Sequence, residues 1–403
     1  MTAWPEFSRE FTLVAACCRW PLDRAAVRAA AAGPVDWSGV VRLAERHRVL
    51  AMTHSAVSHL ALPMPAEMAA SSARESREIA WRNLAHAREC VRLQALFGSA
   101  GIPVSFLKGV VLAQAVYGTL GFKQGRDIDA VVRPGDVASA VRLMEAEGYV
   151  PDEPAQRLGA AQIGALVAYG SQMEFSRDGG RVRVELHWRV AANPYLLRGL
   201  DPFAAPATVA LPGVGALRTL PPDDLFAYLC VHGASHAWSR LKWLADLDAG
   251  LAATDAAGLE RLYRHAARLG AGLCAGQALL LCHLLLGRKL PPALHGALAA
   301  DRRVMRLVAT AVRRLSEGDP AAAKAGNPMR TLRNLVEPFR LGRGPHFLAA
   351  QTRSLLIGKA DAIRWPLPLA LAFLYPLLRV PFWLWRQMGR LRRERPIAAP
   401  QRR

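Results

Sequence analysis

The chain has 403 residues, 52% hydrophobic and 21% charged, with a formal net charge of +20. That composition excludes a disordered or collagen-like chain, and the length suffices for two or three domains whose cores need no disulfide framework or structural metal. The charge is uneven: Arg340 to Arg403 carries 13 basic and two acidic residues, so that end is expected to meet an anionic surface, phospholipid or nucleic acid.

Residues 1–100 are expected to be a helical N-terminal region, rich in Ala and Arg. Within it Ser72 to Ser99 reads as one long amphipathic helix, because Ile79, Leu84, Cys90, Leu93 and Leu96 recur at steps of three and four. The six cysteines (Cys17, Cys18, Cys90, Cys230, Cys274 and Cys282) have no paired spacing. Without a secretory pattern in Met1 to Trp20, they are expected to be reduced, packed thiols in a cytoplasmic protein.

Residues 101–195 change character and read as an α+β core with a small mixed sheet. Ile102 to Leu107 is a predicted strand, Gly109 to Tyr117 a short helix, Asp127 to Val132 a second strand and Val137 to Glu147 a helix. Gln172 to Phe175 and Arg181 to Trp188 should pair as a hairpin across Asp178-Gly179-Gly180, a strong turn signal. Pro202 to Pro222 reads as a proline-rich loop. Residues 196–320 form the expected helical domain, in which Leu269 to Gly287 is uncharged for 19 residues. Its glycines, Gln277 and His283 favour a buried helix over a membrane span.

Glu317 to Pro328 reads as a linker, and residues 321–403 as a basic, aromatic C-terminal segment. Trp365 to Trp385 is apolar and aromatic but broken by Arg379 and four prolines. Arg386, Arg390, Arg392, Arg393 and Arg395 follow it. Two readings stay open: a segment lying in an anionic membrane interface through residues 362–395, or an apolar tail packed on the body. The apolar and aromatic accompaniment of this charge suits lipid better than nucleic acid.

The sharpest chemical feature is Asp127-Ile128-Asp129. Side chains alternate along a strand, so the two carboxylates share a face and repel each other unless a cation lies between them; hard oxygen ligands suit Mg²⁺. On the hairpin strand Arg183, Glu185 and His187 share one face, and Val182, Val184 and Leu186 the other. Glu185 would be a third carboxylate if this strand neighbours the first, and a cross-strand ion pair with an arginine is the alternative. Lys108-Gly109 stands where a strand passes into a helix, a place where backbone amides favour phosphate and glycine allows close approach. His232 and His236 lie four apart on a predicted helix but lack the glutamate of a zinc motif, so packing or support is expected of them. Asp246 is expected to cap or pair within the helical domain. No GxSxG, Walker-A or zinc-ligand spacing is present.

In this order Leu107-Lys108-Gly109, Tyr117, Arg126, Asp127-Ile128-Asp129, Gly148-Tyr149 and Glu185-Leu186-His187-Trp188 resemble the bacterial uncharacterised nucleotidyltransferase family. That family is a branch of the DNA polymerase beta-like nucleotidyltransferase superfamily. His232-Gly233, His236, Trp238, Leu241 and Trp243-Leu244-Ala245-Asp246 resemble its downstream helical region, and Leu367-Pro368 with Phe373-Leu374-Tyr375 its tail. The resemblance implies Mg²⁺-dependent transfer of a nucleoside monophosphate from a nucleoside triphosphate to a hydroxyl-bearing acceptor. It also implies that Asp127, Asp129 and Glu185 bind two Mg²⁺ ions, and that Lys108, Gly109, Arg126 and His187 bind the nucleotide. The contrasting expectation is a catalytically inactive accessory or binding protein of this fold, held peripherally at the inner membrane surface.

Overall fold

The computed structural model describes residues 6–152, 157–317, 328–378 and 381. Local chemistry sets the helix ends. Ser8 Oγ accepts from Phe11 N (3.1 Å) to start helix Arg9–Cys17, and Asp23 accepts from Ala26 N (2.9 Å) to start Arg24–Ala30. Helices Trp37–Arg46 and Leu50–His59 follow. The long helix runs 34 residues, Ala66–Ser99, burying Ile79, Cys90, Leu93 and Phe97 along one face.

The central sheet contains β1 (Ser105–Phe106), β2 (Ile128–Val131), β3 (Val150–Pro151), β4 (Gln172–Arg177) and β5 (Val182–His187), in the order β1-β2-β5-β4-β3. Only the β2–β5 pairing is parallel. This is the expected mixed sheet of an α+β core. The predicted strand at Ile102 to Leu107 shrinks to the two residues of β1, whereas the hairpin of β4 and β5 forms around Asp178, Gly179 and Gly180, all at positive φ. Ile128, Ala130, Val184, Leu186, Met173 and Phe175 of the sheet pack with the long helix and with Val137, Val141 and Met144 of helix Val137–Ala146.

The second apolar core joins the two ends of the helical part. Leu13, Val14, Cys17 and Cys18 pack with Cys230, Trp238, Leu244, Leu279 and Cys282. These come from the N-terminal helices, from helices Pro222–Ser235, Leu241–Gly250 and Gly272–Leu286, and from the turn before Leu241. All six cysteines are unpaired and buried. Gly272–Leu286 is the buried helix expected there, closed by Gly287 at φ +74°. No helix among the described residues is long and apolar enough to cross a membrane.

The stretch Pro202 to Pro222 requires correction. It carries a two-stranded hairpin, β6 (Ala207–Leu211) and β7 (Gly215–Thr219), whose Leu211 and Leu217 join the core beneath the sheet. Most of the predicted linker lies outside the described residues, as does the arginine cluster after Trp385. The C-terminal segment forms helices Pro345–Leu356 and Lys359–Arg364, then a short 3-10 turn. It is tied down at several points: Asn193 Nδ2 donates to Phe347 O (3.2 Å), Gln162 Nε2 to Ile363 O (3.2 Å) and Lys359 Nζ to Gln172 O (2.7 Å).

Candidate functional site

The parallel pairing of β2 with β5 sets Asp129 opposite Glu185, and Val131 opposite His187. Period-two alternation sends Asp129 and Glu185 to the face opposite Ile128, Ala130, Val184 and Leu186. His187 Nε2 lies 3.2 Å from Asp129 Oδ1 and 3.3 Å from Glu185 Oε2, so one imidazole edge spans both carboxylates. Ligand atoms of Asp129, Glu185 and His187 all fall within 4.8 Å of one another.

Lys108 completes the cluster. Its Nζ lies 2.6 Å from Asp129 Oδ1, which places a cation directly on the buried carboxylate. Burial disfavours both charges, but their mutual attraction outweighs it. Lys108 is raised well above the ordinary lysine range, and Asp129, also hydrogen-bonded to His187, is held well below the ordinary carboxylate range. Burial likewise pushes His187 down, yet its hydrogen bonds with Asp129 and Glu185 prevail and raise it. Gln172 Nε2 donates to Glu185 Oε2 (3.2 Å) from the neighbouring strand, so Glu185 is held by Gln172 and His187 rather than by an arginine.

Asp127 stands one residue before β2, half-buried, outside that close group. It lines a cavity of about 210 Å³ together with Glu185, Arg48, Arg126, Glu174 and Arg183. Gly109 takes φ +73° and ψ −132°, a conformation open to glycine, and starts helix Val110–Tyr117; a Cβ there would lie 3.8 Å from the Asp127 carbonyl. The strand-to-helix turn and the acidic strand therefore approach each other as main chain.

The helical region also approaches the cluster. Tyr228 and His232 lie within electrostatic range of Lys108 and Asp129. His232 and His236 serve the expected packing: their rings are 4.7 Å apart, and His236 stacks on Trp243 (4.9 Å, 15°). Burial first, then Lys108, pushes both imidazoles down, His236 to about 4. Burial, with Lys123 and Arg48 nearby, lowers Lys242 to about 7. Asp246 does not pair within the helical domain. It forms a buried ion pair with Lys123 and accepts from Tyr117 Oη (3.1 Å), both residues of the α+β core.

Gln172, Arg48, Tyr228 and Lys242 were not singled out by sequence. Gln172 had a readable signal: a hairpin centred on Asp178 to Gly180 sets it opposite His187. The others reach the site only through packing between distant segments.

The chain matches, over residues 33–287, the model of a family described as an uncharacterised nucleotidyltransferase. The matched stretch contains the whole carboxylate cluster and the helical residues Tyr228, His232, His236 and Lys242, and it ends before the C-terminal segment. No curated protein and no solved structure matches the chain.

Proposed function

The chain belongs to the uncharacterised nucleotidyltransferase family, and on that premise we propose that it moves a nucleoside monophosphate from a nucleoside triphosphate to a hydroxyl-bearing acceptor, with Mg²⁺ as cofactor. The observation that carries the reading is the in-register placement of Asp129 and Glu185 on adjacent parallel strands, with His187 in reach of both. The donor set is the Asp129 and Glu185 carboxylates with the His187 imidazole, a group that could hold a divalent cation, and Asp129 already holds one positive charge, the Lys108 ammonium. In this reading Asp127 and Asp129 hold two ions and Glu185 is the third carboxylate; Asp129 and Glu185 converge with His187, and Asp127 stands one residue before β2.

Bound Mg²⁺ would neutralise charge on the attacking and leaving oxygens. The chain's own groups do the rest. The acceptor hydroxyl attacks the α-phosphorus, the bond to the bridging oxygen breaks and pyrophosphate leaves; Glu185 takes the hydroxyl proton. Lys108, Arg126, His187 and the amides after Gly109 steady the triphosphate, and transfer of Lys108 from Asp129 to phosphate keeps its charge paired.

The test is incubation with Mg²⁺ and each α-labelled nucleoside triphosphate in host extract, wild type beside Asp129→Asn. Label should move to an acceptor with the wild type and fall at least a hundredfold with the variant. Equal transfer by both proteins would sink the assignment of the site. Absence of both transfer and nucleotide binding would instead favour the non-catalytic accessory reading, in which the Lys108–Asp129 pair is simply a structural tie. A peripheral position on anionic lipid is the accompanying proposal; it is supported by exposed Leu348, Leu356, Leu371, Phe373 and Leu377 on the basic C-terminal segment.

A further inference from the structure

The small cavity that holds Asp127 and Glu185 has a larger neighbour. This second cavity, of about 720 Å³, is lined by Arg42, Arg46, Arg48, Arg126 and Arg240, against Glu10, Asp36 and Glu45. The two cavities share Arg48 and Arg126, so the basic one opens directly beside the carboxylates. Lys108 and Gly109, the expected phosphate turn, line neither. The volume is that of a site for a small molecule.

Its arginines have different duties. Arg46 donates to the carbonyls of Leu315 (3.1 Å) and Arg314 (3.2 Å), closing the wall, and Arg42 lies 3.4 Å from Asp36. Arg48 and Arg126 form no ion pair within 4 Å among the described residues. Arg48 joins helices Trp37–Arg46 and Leu50–His59 at φ +56°, a left-handed conformation in which arginine is uncommon. Arg126 comes from the loop before β2, and Arg240 caps the start of helix Leu241–Gly250. Burial, then Arg240 and Arg126, lowers the Arg48 guanidinium to about 10, while Asp127 opposes the shift. Three remote parts of the chain thus bring like charges together where a multiply charged anion would relieve the repulsion. Arginine forks also match phosphate oxygens in geometry.

We propose that this cavity binds a phosphate group of the acceptor through Arg48, so that the acceptor in the transfer reaction is a small phosphate-bearing molecule. The inference rests on the nucleotidyl-transfer reading for the word acceptor and on the cavity itself for the anion. Arg126, common to both cavities, stands between the two substrates. The rival source of the same chemistry is the triphosphate of the nucleotide.

Calorimetric titration of the full chain with inorganic phosphate, with and without a saturating nonhydrolysable nucleoside triphosphate analogue and Mg²⁺, separates the two. Phosphate should bind in both conditions. Arg48→Asn, which suits the left-handed backbone, should weaken phosphate at least tenfold and change the analogue's affinity less than twofold. Arg48→Lys should recover part of the loss, and an unchanged melting temperature for either variant establishes that the fold survives. Displacement of phosphate by the analogue would assign Arg48 to the triphosphate and overturn the proposal, as would equal phosphate affinity in Arg48→Asn or no phosphate binding at all. If the analogue does not bind while phosphate binds through Arg48, the anion site stands and the nucleotide reading falls.

Discussion

Single residues at the site divide by how they could be read. Asp129, Glu185 and His187 followed from alternation along two strands, and Lys108 from its place before a glycine; what no local pattern contained was the direct contact of Lys108 with Asp129. His47 was not legible at all. It is fully buried, its Nδ1 accepts from Leu241 N (3.3 Å) and its carbonyl accepts from Lys242 N (3.2 Å), so it links the N-terminal helices to the helix that carries Trp243. Burial, then Arg46 and Arg240, pushes its imidazole down to about 3. Because the folded value lies below the unfolded 6.5, the unfolded chain takes up this proton first. Stability present above pH 6.5 is therefore lost as pH falls toward 3. Denaturant unfolding should show His47 contributing a loss of about 3 kcal/mol between pH 6.5 and pH 4. His47→Gln, which keeps an acceptor oxygen, should remove that share of the slope, leaving the part due to His232 and His236; an unaltered slope would mean that the acid sensitivity lies elsewhere.

At the scale of elements, the hairpin of β4 and β5 was legible because an Asp-Gly-Gly turn and two alternating strands agree about one register. The hairpin of β6 and β7 was not: prolines on both sides suggested a loop, and only Leu211, Leu217 and Thr219 are buried. In helix Leu241–Gly250, Asp246 was expected to cap or pair within the helical domain, yet it reaches across to Lys123 and Tyr117. Both members of that ion pair are buried, so removing one leaves an uncompensated charge. Asp246→Ala should lower unfolding free energy by about 3–5 kcal/mol, measured by urea denaturation. Replacing both partners, Lys123→Met with Asp246→Leu, should recover most of it. A single-variant loss below about 1 kcal/mol would show that the pair is not what holds this helix to the core.

At the scale of the molecule, composition indicated the basic end, and the described part of the C-terminal segment exposes Leu348, Leu356, Leu371, Phe373 and Leu377. Full-length protein should sediment with vesicles rich in phosphatidylglycerol, and much less with phosphatidylcholine alone. Serine at positions 371, 373 and 377, all exposed, should reduce sedimentation at least tenfold without altering the melting temperature. Undiminished sedimentation would leave the association to charge alone. The overall arrangement was the least legible level, because the shared core of the first and later helices and the adjacency of β2 and β5 are contacts between distant residues, which no local period reports. That adjacency has an evolutionary corollary. The chain between Asp129 and Glu185 leaves the sheet, builds helices Val137–Ala146 and Ala160–Tyr169, adds the edge strand β3 and its neighbour β4, and returns in β5. The spacing of the two carboxylates is set by main-chain pairing of their own strands, so descendants of this fold can lengthen or shorten the excursion while the distance between the acids stays fixed.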